Sequence, residues 1–464
     1  MLLEKNLIEE LLDAGLSRGA DFAEVFVEET DSTTLQSLSG RLEKANNNKL
    51  FGVGIRLAKK YQTVYGYTNS NNPEDLLKLA GDLSKSFDDE NLTKRIALMD
   101  LEVGKRHGVL IKPNDVSLED KVALMKKAYK AASEYDDSIK QVMIYISDTS
   151  QEVLIANSEG RFVTENRYRV RIGINSVAAK DAVMQTGFVG PGSGKGYEYL
   201  FNDIDIEEQA REASRIAVTM LNAEECPSGV MPVVIHNGFG GVIFHEACGH
   251  PLEATSVSKN ASVFCGKMGQ KVASDIVTAI DDGTLENRWG SANYDDEGYP
   301  QQRRVLIQNG VLKSYMVDKI NGRRMNAEST GSSRRQNYKF APTSRMSNTY
   351  IDNGESTFDE IIAATPYGLF AKKLGGGSVN PGNGDFNFAV MEGYMIRDGK
   401  IAEPVRGASL VGNGGNILYK IDMIADNLDS GRGMCGSVSG SIPADVGQPT
   451  LRVTEITVGG KRGA

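Results

Sequence analysis

The chain has 464 residues, 40% of them apolar and 24% charged, the composition of a folded globular protein with room for two or more domains. Its 52 basic against 61 acidic residues leave a net charge of −9, which argues against a generic nucleic-acid binder, whose footprint is a strongly basic face. Four cysteines are too few for a disulfide scaffold and fit a reducing compartment, and no apolar run reaches the ~18–20 residues of a membrane span, so a cytoplasmic protein is expected.

Leu3, Leu7, Ile8, Leu11 and Leu12 recur at helical spacing and predict a first amphipathic helix, closed by Gly15 and Gly19. The acids inside this pattern are foreign to a signal peptide. Strand-like segments follow at 21–29, 33–39, 50–58 and 62–68; in the third, Val53, Ile55 and Leu57 alternate with Gly54 and Arg56. A helix over 73–87 starts with a proline in its first turn. The same order then recurs. Ser117 and Asp120 form a capping signature for a helix carrying Leu118, Val122, Met125 and Tyr129, strands are predicted at 139–147, 151–156, 166–176 and 181–189, and a helix at 205–222. Two helix–four-strand–helix copies are the reading adopted for an N-terminal domain over 1–225; the bland alternative is two unrelated meanders.

From Cys226 the texture changes. Asn309-Gly310 and Asp398-Gly399 sit between alternating apolar runs, the strongest short hairpin signal. Glycine crowds 375–440, but strands and a helix at Ile417, Ile421 and Ile424 are interleaved through it. The expected fold class is α+β, an N-terminal α+β domain of duplicated units followed by a larger, mainly β domain over 226–464 that carries the site on its loops.

Within that second domain, 229–235 reads as a buried strand and 240–250 as a helix, placing His245, Glu246 and His250 on one element. Imidazoles are common zinc ligands, and an adjacent carboxylate can take a proton from a water acidified by the metal. The zincin spacing His-Glu-x-x-His puts both rings on one helix face; here the spacing is one residue longer. At about 100° per residue, positions five apart diverge by roughly 140° on a straight α-helix, so a π-bulge or break is required for a shared ion. Gly249 is permissive and Pro251 disfavours a regular helix at His250, so an irregular helix is predicted between Ala247 and Pro251. Only four histidines occur in the chain, and two fall in this window. The competing reading is a buried helix with hydrogen-bonded histidines. A third ligand could be Cys226, Cys248, Cys265, Cys435, His236 or a carboxylate, and spacing cannot choose among them.

His245-Glu-Ala-Cys-Gly-His250, Asp296-Glu-Gly-Tyr-Pro300, Val311-Leu-Lys-Ser-Tyr-Met316 and Gly447-Gln-Pro-Thr450 together resemble the TldD/PmbA family, more specifically its TldD branch of metallopeptidases. The resemblance covers nearly the whole chain. It implies zinc held by His245, His250 and the distal thiolate Cys435, with Glu246 as general base. It further implies unfolded or extended peptides as substrates, and a dimer with a related TldE/PmbA-type subunit or a second copy. Two other functions stay open at this point: a non-catalytic subunit that shapes a partner's cavity, and a zinc hydrolase of another amide.

Other signals carry less. The stretch 190–196 lacks the spacing of a phosphate-binding loop, and Asp295-Asp-Glu-Gly298 lacks the ligand alternation of a calcium loop and is expected to be a turn. His107, in the polar stretch 105–108, is expected to be solvated. His236 is divided evenly between orienting the site and simple structural bonding. Arg303-Arg304 and Arg334-Arg335 are expected to be solvated or salt-bridged.

Overall fold

The computed structural model describes residues 2–87, 96–101, 106–380 and 384–461. In its first half, helix α1 (Lys5–Leu16) leads into strands β1 (Phe22–Leu38), β2 (Arg41–Lys59) and β3 (Gln62–Thr68), then helix α2 (Pro73–Ser84). The order repeats as α3 (Leu118–Ser133), β4 (Ile139–Asn157), β5 (Arg161–Lys180), β6 (Val183–Val189) and α4 (Ile206–Leu221). The repeat is therefore helix–three strands–helix, not helix–four strands–helix. Segments expected as separate strands at 21–29 and 33–39 are one strand of 17 residues, and those at 139–147 and 151–156 are one of 19. The polar stretches between them, Thr30-Asp31-Ser32 and Asp148-Thr149-Ser150, contain no glycine or proline, so nothing demands a left-handed backbone or removes a ladder donor.

Strands β1 and β4 pair antiparallel along their length, from Glu24 opposite Asn157 to Leu38 opposite Met143. On one side β2 and β3 follow outward from this pair, and on the other β5 and β6. The sheet thus has a pseudo-two-fold between β1 and β4. Ile8, Leu11 and Leu12 of α1 and Leu76 of α2 bury against Val25, Val53, Ile55 and Leu57, while Leu124 and Met125 of α3 meet Ile144, Ile172 and Ile216 in the second copy. The predicted start of α3 is present: Ser117 Oγ accepts from the Asp120 amide at 3.1 Å.

The second half holds a closed ring of five strands. Strand β7 (Gly229–Ile235) pairs parallel with β8 (Tyr367–Val379), which pairs antiparallel with β9 (Asp385–Arg397). Strand β10 (Ser409–Asn413) joins β9 to β13 (Leu451–Gly459), and β13 returns to β7. Beside this barrel lies a six-stranded sheet in which β11 (Asp429–Ser437) is an edge, paired with β12 (Gly440–Gln448). Both predicted hairpin turns form, with positive φ at each residue: 47° and 76° at Asn309 and Gly310, 50° and 68° at Asp398 and Gly399. The helix expected through Ile417, Ile421 and Ile424 ends early, because Ile421–Ile424 is a strand against β13.

A buried ionic network joins the two halves. Arg56 of β2 lies 2.6 Å from both Glu24 and Glu297, Arg335 bonds Glu24 at 2.5 Å, and Arg167 meets Asp296 at 2.6 Å. The acidic segment at 295–298 is the expected turn, its Gly298 amide donating to the Asp295 carbonyl at 3.1 Å, but a buried one; Arg335 is salt-bridged as expected, and both Arg334 and Arg335 are buried at this junction. His107 is likewise tucked in, its Nδ1 accepting from the Asn287 amide at 3.1 Å, while Lys105 of the same stretch lies outside the described residues.

Candidate metal centre

Strand β7 is buried and delivers the chain to a short, irregular helical run. One 3₁₀ turn (Gly238–Gly241) is followed by a single α turn (Val242–Phe244), a π turn (His245–Gly249) and a second 3₁₀ turn (His250–Leu252). The His250 amide donates to the His245 carbonyl, the i+5 bond that defines a π turn. The extra residue in the spacing is absorbed here, so His250 returns to the face of His245. The irregularity starts at His245, two residues before the predicted Ala247.

Gly249 serves by its size. Its φ of −61° is ordinary, but a Cβ there would stand 2.2 Å from Met346 Sδ. Gly414 is packed equally close, 2.2 Å from the Ala247 carbonyl oxygen. Pro251 sits in the first turn of the 3₁₀ segment, where a missing amide donor costs little. The chain is then pinned by the 311–316 segment: the Met316 amide donates to Leu252 at 3.1 Å and Ala254 donates to Met316 at 2.8 Å.

Cys435 reaches the same place from β11, opposite Ile442 of β12. Its Sγ lies 3.2 Å from His245 Nε2 and 3.2 Å from His250 Nε2, and the three donor atoms fall within 4.8 Å of one another. A tetrahedral zinc with bonds near 2.3 Å to sulfur and 2.0–2.1 Å to nitrogen would set each S···N separation at about 3.6 Å. The S···N pairs need only a few tenths of an ångström, while the two ring nitrogens, within 4.8 Å of each other, would close towards the ~3.3 Å of such a site; the donor set fits the ion by its chemistry and convergence. His245 Nδ1 is buried with no hydrogen-bond partner among the described residues, where the ring's polar contact runs through Nε2.

Burial opposes charge on Cys435, but hydrogen bonds from His245 and His250 and their charge outweigh it, lowering the thiol to about 4. Burial likewise opposes charge on His250, yet Glu253 and the thiolate raise it well above the usual imidazole range. Glu246 Oε2 stands 3.8 Å from His250 Nε2, with the side chain partly open to solvent.

The other candidate ligands lie elsewhere. Cys248 Sγ contacts the Gly414 carbonyl oxygen at 3.5 Å, and burial pushes its thiol far up. Cys226 and Cys265 contact the backbone carbonyls of Pro227 and Val257. His236 bonds Thr450 Oγ1 at 2.9 Å and packs among Phe358 and Phe370, a structural role.

Two residues escaped the sequence reading. Glu253 Oε1 lies 3.1 Å from His250 Nδ1, on the far side of that ring from the sulfur. The fully buried Arg345 donates to the Cys435 carbonyl, to Ser439 Oγ at 2.9 Å and to the Gly440 carbonyl at 2.9 Å, with its Nε 3.9 Å from Glu253. An acid three residues beyond His250 was a usable signal for Glu253; no local pattern marks Arg345.

Residues 228–460 match the PmbA/TldA metallopeptidase C-terminal domain, 111–221 its central domain and 23–86 its domain 1. A Haemophilus influenzae protein named metalloprotease TldD homolog is 35% identical over 99% of this chain and 97% of its own length. Two crystal structures share the fold. One is a Thermotoga maritima protein named as a modulator of DNA gyrase (TM-score 0.81, 21% identity, 98% of this chain and 100% of that one), the other TldE from Thermococcus kodakarensis (TM-score 0.76, 20% identity, 98% and 100%).

Proposed function

This chain belongs to the PmbA/TldD family and is a metallopeptidase, and from that premise we propose that it hydrolyses extended peptides with zinc held by His245, His250 and Cys435 and with Glu246 as general base. The observation that carries the reading is the convergence of two imidazole nitrogens and one thiolate across 190 residues of chain. Thiolate and imidazole together suit zinc, and three protein ligands leave a fourth position for a reactant.

When bound, the ion supplies Lewis acidity, lowering the pKa of a water towards about 7 and drawing charge from a carbonyl oxygen. Glu246, beside Nε2 of His250, would accept a proton from the attacking water and return it to the departing amine nitrogen. Glu253 holds the His250 ring by its Nδ1, fixing which nitrogen faces the sulfur. Arg345 ties the carbonyl of Cys435 to the turn that follows it.

Cys435, His250 and Glu253 alone would also read as a nucleophilic thiol relay. His245 on the same sulfur favours a shared cation, since a nucleophile needs one base and a free side for its substrate. A non-catalytic partner subunit is disfavoured by the intact ligand set. A related TldE/PmbA-type subunit or a second copy is the partner we infer. The edge position of β11 supports extended peptides as substrates, because a strand can be added to such an edge. No described helix is long and apolar enough to cross a membrane.

Glu246→Gln is expected to retain one zinc per chain by metal analysis while losing hydrolysis of an unstructured peptide by at least 10²-fold, the span typical of a general base. Activity within a few-fold of the unmodified chain would remove Glu246 from its role.

A further inference from the structure

Across the β11–β12 hairpin from the candidate metal centre lies a cavity of about 380 Å³ between the N-terminal sheet and the second half. Its apolar wall includes Met434, the chain neighbour of Cys435, and Pro443, the cross-strand partner of Met434, together with Trp289. Its polar wall includes four arginines, which differ in their partners. Arg167 and Arg335 are neutralised by Asp296, Glu165 and Glu24. Arg169 and Arg334 take part in no ion pair among the described residues. Arg169 donates to the Trp289 carbonyl at 2.9 Å and, at 3.5 Å, to that of Ser291; Arg334 donates to the Met346 carbonyl at 2.6 Å. Arg334 is 7% exposed, and among the described residues its Nη1 is the guanidinium nitrogen seen to donate.

The acids lining the same cavity are already engaged. Asp296 accepts from Arg167 and from the Arg335 amide, Glu28 from the Tyr338 amide and Gln151, and Asp295 from the amides of Glu297, Tyr299 and Ser333. Asp148 is held by Lys121 and Tyr197. Two guanidinium groups that hydrogen-bond only neutral oxygens are thus held in a desolvated chamber, and burial, with the neighbouring arginines, lowers Arg169 to about 9 and Arg334 to about 10 against the opposing charge of Asp296. A monoanion would satisfy both; a group of higher charge would also face Asp296 and Glu28. Planar forks suit a carboxylate.

We propose that this cavity binds a carboxylate of the peptide substrate, with Arg169 and Arg334 as its donors. The proposal rests on the peptidase reading above, and it makes the centre selective for peptides that present either a C-terminal carboxylate or an acidic side chain near the cleaved bond. The hairpin that carries Cys435 on one face walls the cavity with Met434 and Pro443 on the other, so a peptide anchored there lies against the metal-bearing strand.

Trp289 is the only tryptophan in the chain and lines the cavity, so its fluorescence reports occupancy without turnover. Full-length Glu246→Gln protein would be titrated with a short unstructured peptide ending in a free carboxylate, with its C-terminal amide, and with the amide carrying an internal glutamate. The free-acid peptide should give a saturable change, and the plain amide should bind about tenfold or more weakly. Recovery by the internal glutamate assigns the side chain as the natural anion, and no recovery assigns the C-terminus. Arg169→Gln and Arg334→Gln should each weaken the free acid by about tenfold and leave the amide unchanged, while Arg334→Lys, which keeps the charge, retains most of the affinity. Equal binding of acid and amide, or arginine variants that leave the difference intact, would overturn the proposal. Binding as expected in a chain that cleaves no peptide when zinc-loaded would sustain this site and count against the catalytic reading instead.

Discussion

Replacing Glu253 by glutamine keeps the shape beside His250 and removes the charge. The carboxylate is 3.1 Å from His250 Nδ1 and its side chain is 5% exposed, so the bond is charge-assisted and poorly screened. Losing such an orienting partner typically lowers metal affinity by about 10–100-fold, or about 1.4–2.8 kcal/mol. The upper half of that range is expected here. Arg345 Nε, 3.9 Å from the same carboxylate and otherwise without a partner, would then leave a positive charge uncompensated near a cation site. The assay is zinc competition against a chromogenic chelator, repeated with cobalt to follow the thiolate-to-metal absorption band. Glu246→Gln is the control, because Glu246 contacts the other ring nitrogen at 3.8 Å without a hydrogen bond and should change affinity only slightly. Zinc binding by Glu253→Gln as tight as in the unmodified chain would refute the orienting role. So would an equal loss in the control.

Further tests follow from the same geometry. Cys435→Ser should reduce bound zinc well below one per chain, whereas Cys248→Ser, whose sulfur faces the Gly414 carbonyl, should keep it; metal analysis decides. Gly249→Ala forces a methyl group to within 2.2 Å of Met346 Sδ and should cost about 1–3 kcal/mol in urea unfolding, with part recovered by Met346→Ala. In metal-free protein Cys435, lowered to about 4 from an ordinary 9.0, should show thiolate absorbance at pH 6 that is absent in Cys435→Ser. Because the folded value is the depressed one, the matching stability is fully present above pH 9 and disappears as pH falls through about 4.

What the residues disclosed depended on how local the signal was. The five-residue separation of His245 and His250 demanded a departure from α geometry, and the π turn supplies it. Asn-Gly and Asp-Gly turns act within two residues and could be placed from sequence. Strand limits in the first half were harder, since Thr30-Asp31-Ser32 looks like a turn by polarity yet is held in the sheet by β4. Likewise the turn at Asp295, Asp296 and Glu297 could be read locally but its burial could not, because the partners Arg56, Arg167 and Arg335 stand on distant segments. Cys435 could not be chosen by spacing at all; only the family resemblance singled it out, and the structure brings that sulfur to both rings. Arg345 had neither kind of mark.

The wide separation of Cys435 from His245 has a temporal meaning. A ribosome adding roughly 5–20 residues per second would need about 10–40 s to travel from one to the other. On the proposed ligand set, the growing polypeptide would hold both imidazoles throughout that interval without the Cys435 thiolate that joins them. On that set, the third ligand would arrive only when the β11–β12 hairpin docks, late in synthesis.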